Sequence, residues 1–280
     1  MKYIEIKAPA KINIGLFITS KRNDGFHNLN TLFYPICDLH DILSFESSSI
    51  FEFECDDDSI PCDENNLVVK AVRILEKIKG SPIEVKIKLQ KNIPSQAGLG
   101  GGSSDAAATL ISLNEMFKLN LKYEQLIELG LQLGSDVPFF IKAKPAIGKS
   151  RGELLEFVDF EIDKPILIIN PRINISTRDA FQNIHPSENN FDFKNAIKNN
   201  NLDYSFLRKY VLNDFEQFVF NIYEEIKLIK ENMYINGAEF SLMSGSGSTV
   251  YGIFPDIESA EKTKMNLPKK YFGWISIPNH

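Results

Sequence analysis

The segment Pro94-Ser95-Gln96-Ala97-Gly98-Leu99-Gly100-Gly101-Gly102-Ser103-Ser104-Asp105 constrains this chain more than any other stretch. Glycine fills four of the five positions from Gly98 to Gly102, a density that core packing does not call for. It lets the backbone turn sharply and lets a ligand come up against the main chain. Before the loop, Ile83-Glu84-Val85-Lys86-Ile87-Lys88-Leu89-Gln90 alternates apolar and polar side chains, the pattern of a half-buried strand. After it, the Ala-rich run from Asp105 has the composition and spacing of a helix. Strand, glycine loop and helix in that order aim free N–H groups and the positive end of a helix at one place, where a phosphate is held. Ser103 and Ser104 add hydroxyls at the first turn. The plainer reading is a flexible turn before a helix, and the strand in front weighs against it.

Two common phosphate fingerprints do not fit. Counting G-x-G-x-x-G from Gly98 puts Ser103 at the sixth position. Gly148-Lys149-Ser150 ends like G-x-x-x-x-G-K-[ST], but Ala143 stands where the first glycine belongs, and the match reads as chance.

Four further segments carry polar groups in suggestive places. Lys11 and Asn13, two apart in Ala8-Pro9-Ala10-Lys11-Ile12-Asn13, share one face of a strand and can meet an anion together. Asp136 follows a helix end and precedes the apolar Val137-Pro138-Phe139-Phe140, so its carboxylate is expected to be partly buried and to need a partner. Lys11 is a candidate; local N–H groups are the alternative. Met243-Ser244-Gly245-Ser246-Gly247-Ser248 sits between apolar strands and by itself reads as a hairpin. Asp24-Gly25 is a turn signal, and Phe26-His27 after it offers a ring face and a hydrogen-bonding edge. A loop with a half-buried Phe would look the same.

The rest of the chain bounds these readings. With 280 residues, 43% apolar and 24% charged, it is ordinary globular chemistry, one large domain or two. The net charge of -6 disfavours a sequence-independent nucleic-acid binder. No run of about 18 apolar residues suggests a membrane span, and the start lacks the apolar core of a signal peptide. The three cysteines form no CxxC pair and read as reduced thiols of a cytoplasmic protein; His40, His185 and His280 share no ligand spacing. Strands are expected at 3–6, 12–18, 165–169, around 241–254 and at 272–277. Helices are expected over 67–78, 123–133 and 257–264, with a long one from Phe215 to Ile229. Ser176 or Thr177 can cap a helix after the 165–169 strand, and 186–204 reads as loop or weak helix. The class is α+β, with a boundary near 155–165.

Taken in order, Pro9-Ala10-Lys11-Ile12-Asn13, the glycine loop, Leu133-Gly134-Ser135-Asp136-Val137-Pro138-Phe139-Phe140 and Ser244-Gly245-Ser246-Gly247-Ser248 resemble the GHMP small-molecule kinases. The triple glycine with double serine, the Asp24-Gly25-Phe26-His27 segment and Gly134-Ser135-Asp136 narrow the likeness to the branch acting on a cytidine-diphosphate-linked methylerythritol, in non-mevalonate isoprenoid biosynthesis. It runs from Lys7 to about Phe254. Residues 180–235 match poorly apart from Asn213-Asp214-Phe215-Glu216.

The resemblance implies a two-domain α+β kinase with its active site in the interdomain cleft. Residues 1–160 would form the N-terminal ATP- and substrate-binding domain, and 161–280 the C-terminal domain. ATP, with Mg²⁺, would phosphorylate the 2-hydroxyl of the cytidylyl substrate. Gly98, Leu99, Gly100, Gly101, Gly102, Ser103 and Ser104 would wrap the ATP phosphates, with Lys91 and Pro94 at the loop's edge near the nucleotide and Ser95, Gln96 and Ala97 among the residues that bind it. The Ser246–Ser248 loop would close over the same site. Asp136 would take the proton of the substrate hydroxyl, and Lys11 would orient Asp136 and stabilise the developing charge. Asn13 would hold the substrate's polar tail, Phe26 and His27 the cytosine, and Thr177 its erythritol or cytidine end. No Asp or Glu is an obvious Mg²⁺ ligand; phosphates, waters and Ser103 or Ser104 would hold the ion. Phe26 stands where this branch usually carries Tyr, which keeps stacking and loses a phenol contact. Lys149 and Arg151 are extra basic residues beside the Gly152-Glu153 pair. Homoserine or mevalonate as acceptor, and a nucleotide-binding module without catalysis, are the alternatives. Neither a nucleic acid nor a membrane is an expected partner.

Overall fold

The computed structural model describes residues 3–187 and 191–277, so His280 and part of the 186–204 segment lie outside it. The two short strands expected near the start are one, β1 (Tyr3–Lys21), which pairs with a similarly long β2 (His27–Ser47). Pro35 inside β2 removes a donor and interrupts the local strand signal, which is why β2 is not evident from sequence. There follow β3 (Glu52–Cys55), α1 (Leu67–Lys79), β4 (Val85–Gln90), α2 (Gly101–Met116), α3 (Tyr123–Leu133) and the single turn α4 (Val137–Phe140). Then come β5 (Ala146–Ser150), β6 (Leu154–Phe157), β7 (Ile166–Asn170), α5 (Thr177–Gln182), a 3-10 turn at Phe193–Ala196, β8 (Ile197–Lys198), β9 (Asn201–Leu202) and α6 (Tyr204–Tyr210). The chain closes with α7 (Phe215–Ile222), α8 (Glu224–Ile235), β10 (Phe240–Met243), β11 (Val250–Ile253), α9 (Ile257–Met265) and β12 (Phe272–Ser276).

These elements form two compact units that interleave along the sequence. The first holds Leu39–Ser95 and Gly100–Ala143, together with β1 as far as Ala10; the second holds Lys11–Asp38, Gln96–Leu99 and the chain from Lys144 onward.

In the first unit, β4 runs antiparallel to the second half of β2, from Ile42 opposite Gln90 to Ser47 opposite Val85, and parallel to β3. Val85, Ile87 and Leu89 turn inward as their alternation requires. Asn66 caps α1 by accepting the Val68 N–H, and Gly80, at φ 74°, ends it in the left-handed region. Val68, Ala71, Val72 and Leu75 are its buried stripe, against α2. Helix α2 also meets α3 and α4 and is buried almost all round, which accounts for its small side chains.

In the second unit, β5 pairs antiparallel with the first half of β2, and β6 folds back on β5. Gly148-Lys149-Ser150 therefore lies on a strand, as expected of a chance match. A second sheet, in the order β10-β11-β7-β12, is antiparallel throughout; β7 is central, so every one of its residues is buried. The single helix expected from Phe215 to Ile229 is two: the backbone breaks at Tyr223, with φ -121° and ψ 78°. The apolar spacing carries across the break because Phe215, Val219, Ile226, Ile229 and Met233 enter one core. Met243 pairs with Val250, so the second Gly/Ser segment is the connection of a hairpin.

Candidate active site

Spacing of two on β1 sets Lys11 and Asn13 on one face, and the Lys11 ammonium donates to Asn13 Oδ1 at 2.7 Å. It also donates to the Gly98 carbonyl at 3.0 Å, and Lys11 is 3% exposed. The Lys11 N–H donates to the Leu99 carbonyl, so this arm of the glycine loop lies along β1. Both polar ends of the Asn13 side chain are engaged within the protein. Its amide oxygen takes Lys11, and its Nδ2 donates to Thr31 Oγ1 at 2.9 Å. The side chain, 2% exposed, orients the lysine. Thr31, unremarkable in the sequence, completes the set by donating to the Gly15 carbonyl at 2.6 Å.

The hairpin Ser244–Thr249 packs on the same arm. Ser244 Oγ donates to the Gly98 carbonyl at 2.9 Å and accepts the Asn13 N–H at 3.3 Å. A Cβ on Gly98 would lie 2.1 Å from the Ser244 carbonyl oxygen, and Gly98 has φ 76°, so only glycine fits. The hairpin is held from below by Asn213-Asp214-Phe215-Glu216. Asn213 Nδ2 donates to the Met243 and Gly245 carbonyls, and Glu216 Oε1 accepts the Met243 N–H. Burial raises the Glu216 carboxyl, and Lys230, 2.6 Å away, works against that rise.

In the first unit, α2 begins earlier than the alanine run suggests. Gly101, Gly102, Ser103 and Ser104 form its first turn, with Gly100 as N-cap at φ 75°. The leading N–H groups of a helix have no partner within it. Gly102 is exposed, and a Cβ there would meet nothing within 4 Å, so the protein's own packing does not require glycine at that position. Ser104 Oγ is buried without a hydrogen-bond partner. Open space over glycine and an orphaned hydroxyl suit phosphate oxygens and an oxygen-liganded cation. Among the described residues no three His, Cys, Asp or Glu side chains could hold a metal together.

Lys91 is the residue whose surroundings differ most from expectation. Its ammonium, in a side chain 7% exposed, pairs with Asp41 and, at 2.9 Å, with Asp105. The opposed carboxylates outweigh burial and raise the lysine. Asp105 is pushed up to about 7 by burial, with the Asp41 charge adding to the rise and Lys91 opposing it. Pro94 is half-buried, while Ser95 and Gln96 are exposed and Ala97 and Leu99 are buried. Asp136, half-buried, immediately precedes α4, whose four residues are all buried.

The remaining candidates lie in the second unit. The Phe26 ring is 49% exposed on the turn after β1, its N–H donating to Asp24 Oδ1. The Arg151 guanidinium lies 3.8 Å from the ring centroid. His27 is buried and stacks on Phe181, with centroids 5.1 Å apart and planes inclined by 17°. Burial lowers its pKa, with Lys21 adding to the effect, which favours the neutral ring with one donor and one acceptor. Thr177 is the first residue of α5, capped by Ser176, and its hydroxyl lies 2.9 Å from that of Ser246 in the hairpin. Phe181, one helical turn beyond Thr177, escaped the sequence reading; the i, i+4 spacing on α5 was its only signal.

The class follows from comparison with known proteins. The GHMP kinases N terminal domain model matches residues 66–144, and the GHMP kinases C terminal model matches 192–272. A 4-diphosphocytidyl-2-C-methyl-D-erythritol kinase of Chloroherpeton thalassium is 40% identical over 275 residues, 95% of this chain and 94% of that protein. One of Bacteroides thetaiotaomicron is 44% identical over 254 residues, 88% of this chain and 90% of that protein. A crystal structure of 4-(cytidine 5'-diphospho)-2C-methyl-D-erythritol kinase superposes with a TM-score of 0.83 at 32% identity, covering 97% of this chain and 98% of that one. The chain belongs to the GHMP kinases, in the family of the 4-diphosphocytidyl-2-C-methyl-D-erythritol kinases. Among the described residues no helix is long and apolar enough to cross a membrane.

Proposed function

We propose that this chain moves the γ-phosphoryl group of ATP onto the 2-hydroxyl of 4-diphosphocytidyl-2-C-methyl-D-erythritol. The observation that carries the reading is the buried Lys11 ammonium, fixed by Asn13 and the Gly98 carbonyl, so that the glycine loop and the cation are set by one hydrogen-bond group. Phosphoryl transfer asks a protein mainly to position groups and neutralise charge. The N–H groups at the start of α2 hold phosphate oxygens, and Lys11 meets the charge that develops during transfer. Asp136 accepts the hydroxyl proton as the oxygen attacks phosphorus; general-base help of this kind is worth about 10²–10⁴-fold. The bond from the γ-phosphorus to ADP breaks as the new ester bond forms. Mg²⁺, when bound, supplies charge neutralisation on the phosphates, and the hydroxyls of Ser103 and Ser104 are the ligands that α2 offers it. The cytosine stacks on the Phe26 ring and pairs with the neutral His27 edge, while Thr177 contacts the sugar-alcohol side.

Phosphorus NMR of the product tests the position of transfer. C2 of the methylerythritol carries no hydrogen, so a 2-phosphate gives a phosphomonoester signal without three-bond proton splitting. A split signal, or no phosphomonoester at all, contradicts the proposal.

A further inference from the structure

Lys91 stands where a phosphate-gripping lysine would be expected, yet its ammonium is enclosed by two carboxylates. Asp41 is fully buried on β2 and uses both oxygens on the start of the glycine loop. Its Oδ1 accepts the N–H groups of Asn92 and Ile93, at 2.6 and 2.8 Å, while its Oδ2 takes the Lys91 ammonium. Gly101 rests against the same group: a Cβ there would come within 3.3 Å of Asp41 Oδ2 and of Ile93. From the far end of the loop, Asp105, one residue beyond the orphaned Ser104, supplies the second carboxylate. A single ammonium thus ties the residues that follow β4 to the first turns of α2, which are the two ends of the phosphate loop.

Resting on the kinase reading above, we infer that Asp41, Lys91 and Asp105 are positioning residues for the nucleotide: they clamp the two ends of the glycine loop so that the N–H groups at the start of α2 face the phosphates, and Lys91 itself does not touch them. An ammonium given to two buried carboxylates is not in position to neutralise a phosphate in the solvent-facing space over Gly102. A clamp also explains why an acid sits on the first turns of a helix whose task is to hold anions. Its charge is spent on Lys91 rather than presented to the ligand.

The two roles for Lys91 give opposite results when Asp41 is changed. Binding of a non-hydrolysable Mg·ATP analogue is measured by calorimetry for wild type, Lys91→Met, Asp41→Asn and the double variant, and binding of the cytidylyl substrate is measured separately. A clamp predicts that each single change weakens analogue binding by about tenfold or more and that the double variant is hardly worse than either, while the acceptor's affinity moves less than about twofold. A direct phosphate contact predicts that Asp41→Asn leaves analogue binding unchanged or tightens it, which overturns the inference. If the Asp41 or Lys91 variants fail to fold, Lys91→Arg and Asp105→Asn replace them. Lys91→Arg keeps a donor in the clamp and is expected to bind the analogue within about threefold of wild type, whereas Asp105→Asn removes the charge supplied from the far end of the loop and is expected to weaken binding by about tenfold; Asp105→Asn with wild-type affinity in a folded protein overturns the inference. Wild type that binds no nucleotide overturns the kinase reading together with the clamp, whereas wild-type binding with an indifferent Asp41→Asn overturns the clamp alone.

Discussion

Gly98 shows how one residue can be fixed by two independent demands. Its φ of 76° lies in the left-handed region, and the Ser244 carbonyl occupies the place of any Cβ. Gly98→Ala is expected to cost about 1–3 kcal/mol of stability in urea unfolding. Because the Gly98 carbonyl accepts from Lys11 and a side chain there would push the loop off Ser244, nucleotide binding by calorimetry should weaken more than about tenfold. A variant with wild-type affinity would show that the loop relaxes freely around Gly98. This residue was legible in the sequence because glycine density is a local signal. So was the placement of Lys11 and Asn13 on one face of a strand, because spacing of two is also local. The Ser244 and Asp41 contacts were not legible. Asn13 and Ser244 are 231 positions apart and Asp41 and Lys91 are 50 apart, and no periodicity reports which distant carboxylate or hydroxyl folding will bring in. For the same reason the family resemblance could place Lys91 near the nucleotide and Asn13 near the substrate without showing that Asp41 and Asp105 hold the one and Lys11 and Thr31 the other.

Among the elements, the hairpin β10–β11 and helix α7 form one working part. The hairpin's loop has few backbone partners of its own, and the Asn213 amide satisfies two of its carbonyls from below. Asn213→Ala would leave both carbonyls and the Phe215 N–H without that side chain. The expected loss is about 2–4 kcal/mol, read from the shift of the urea midpoint, with turnover falling alongside because Ser244 no longer fixes the Gly98 carbonyl. Unchanged stability would mean that the hairpin holds its shape without α7. Helices α1, α3 and α9 were readable from apolar spacing with capping or stop residues. The single helix expected from 215 to 229 was not two in the sequence, since Tyr223 breaks the backbone while leaving the buried face in phase. Strand β2 was missed because Pro35 interrupts a pattern that neighbouring strands nonetheless support.

On the scale of the whole molecule, a net negative chain has to hold a phosphate, as the proposed function requires, with a few placed groups rather than by overall charge. The glycine loop has its ends in the first unit and its Gln96–Leu99 arm in the second. Composition and alternating periods were enough for the α+β class, and the ordered motifs for the resemblance to a kinase family, while the interleaving of the units depends on long strands whose extent only tertiary pairing decides. The reaction itself is tested most directly by ADP release with Mg·ATP, comparing the cytidylyl-methylerythritol, homoserine and mevalonate as acceptors, in wild type and Asp136→Ala. Turnover of the cytidylyl substrate alone, reduced by about 10²-fold or more in the variant, is the expected result. Equal turnover of another acceptor, or an Asp136→Ala enzyme as fast as wild type, would contradict it.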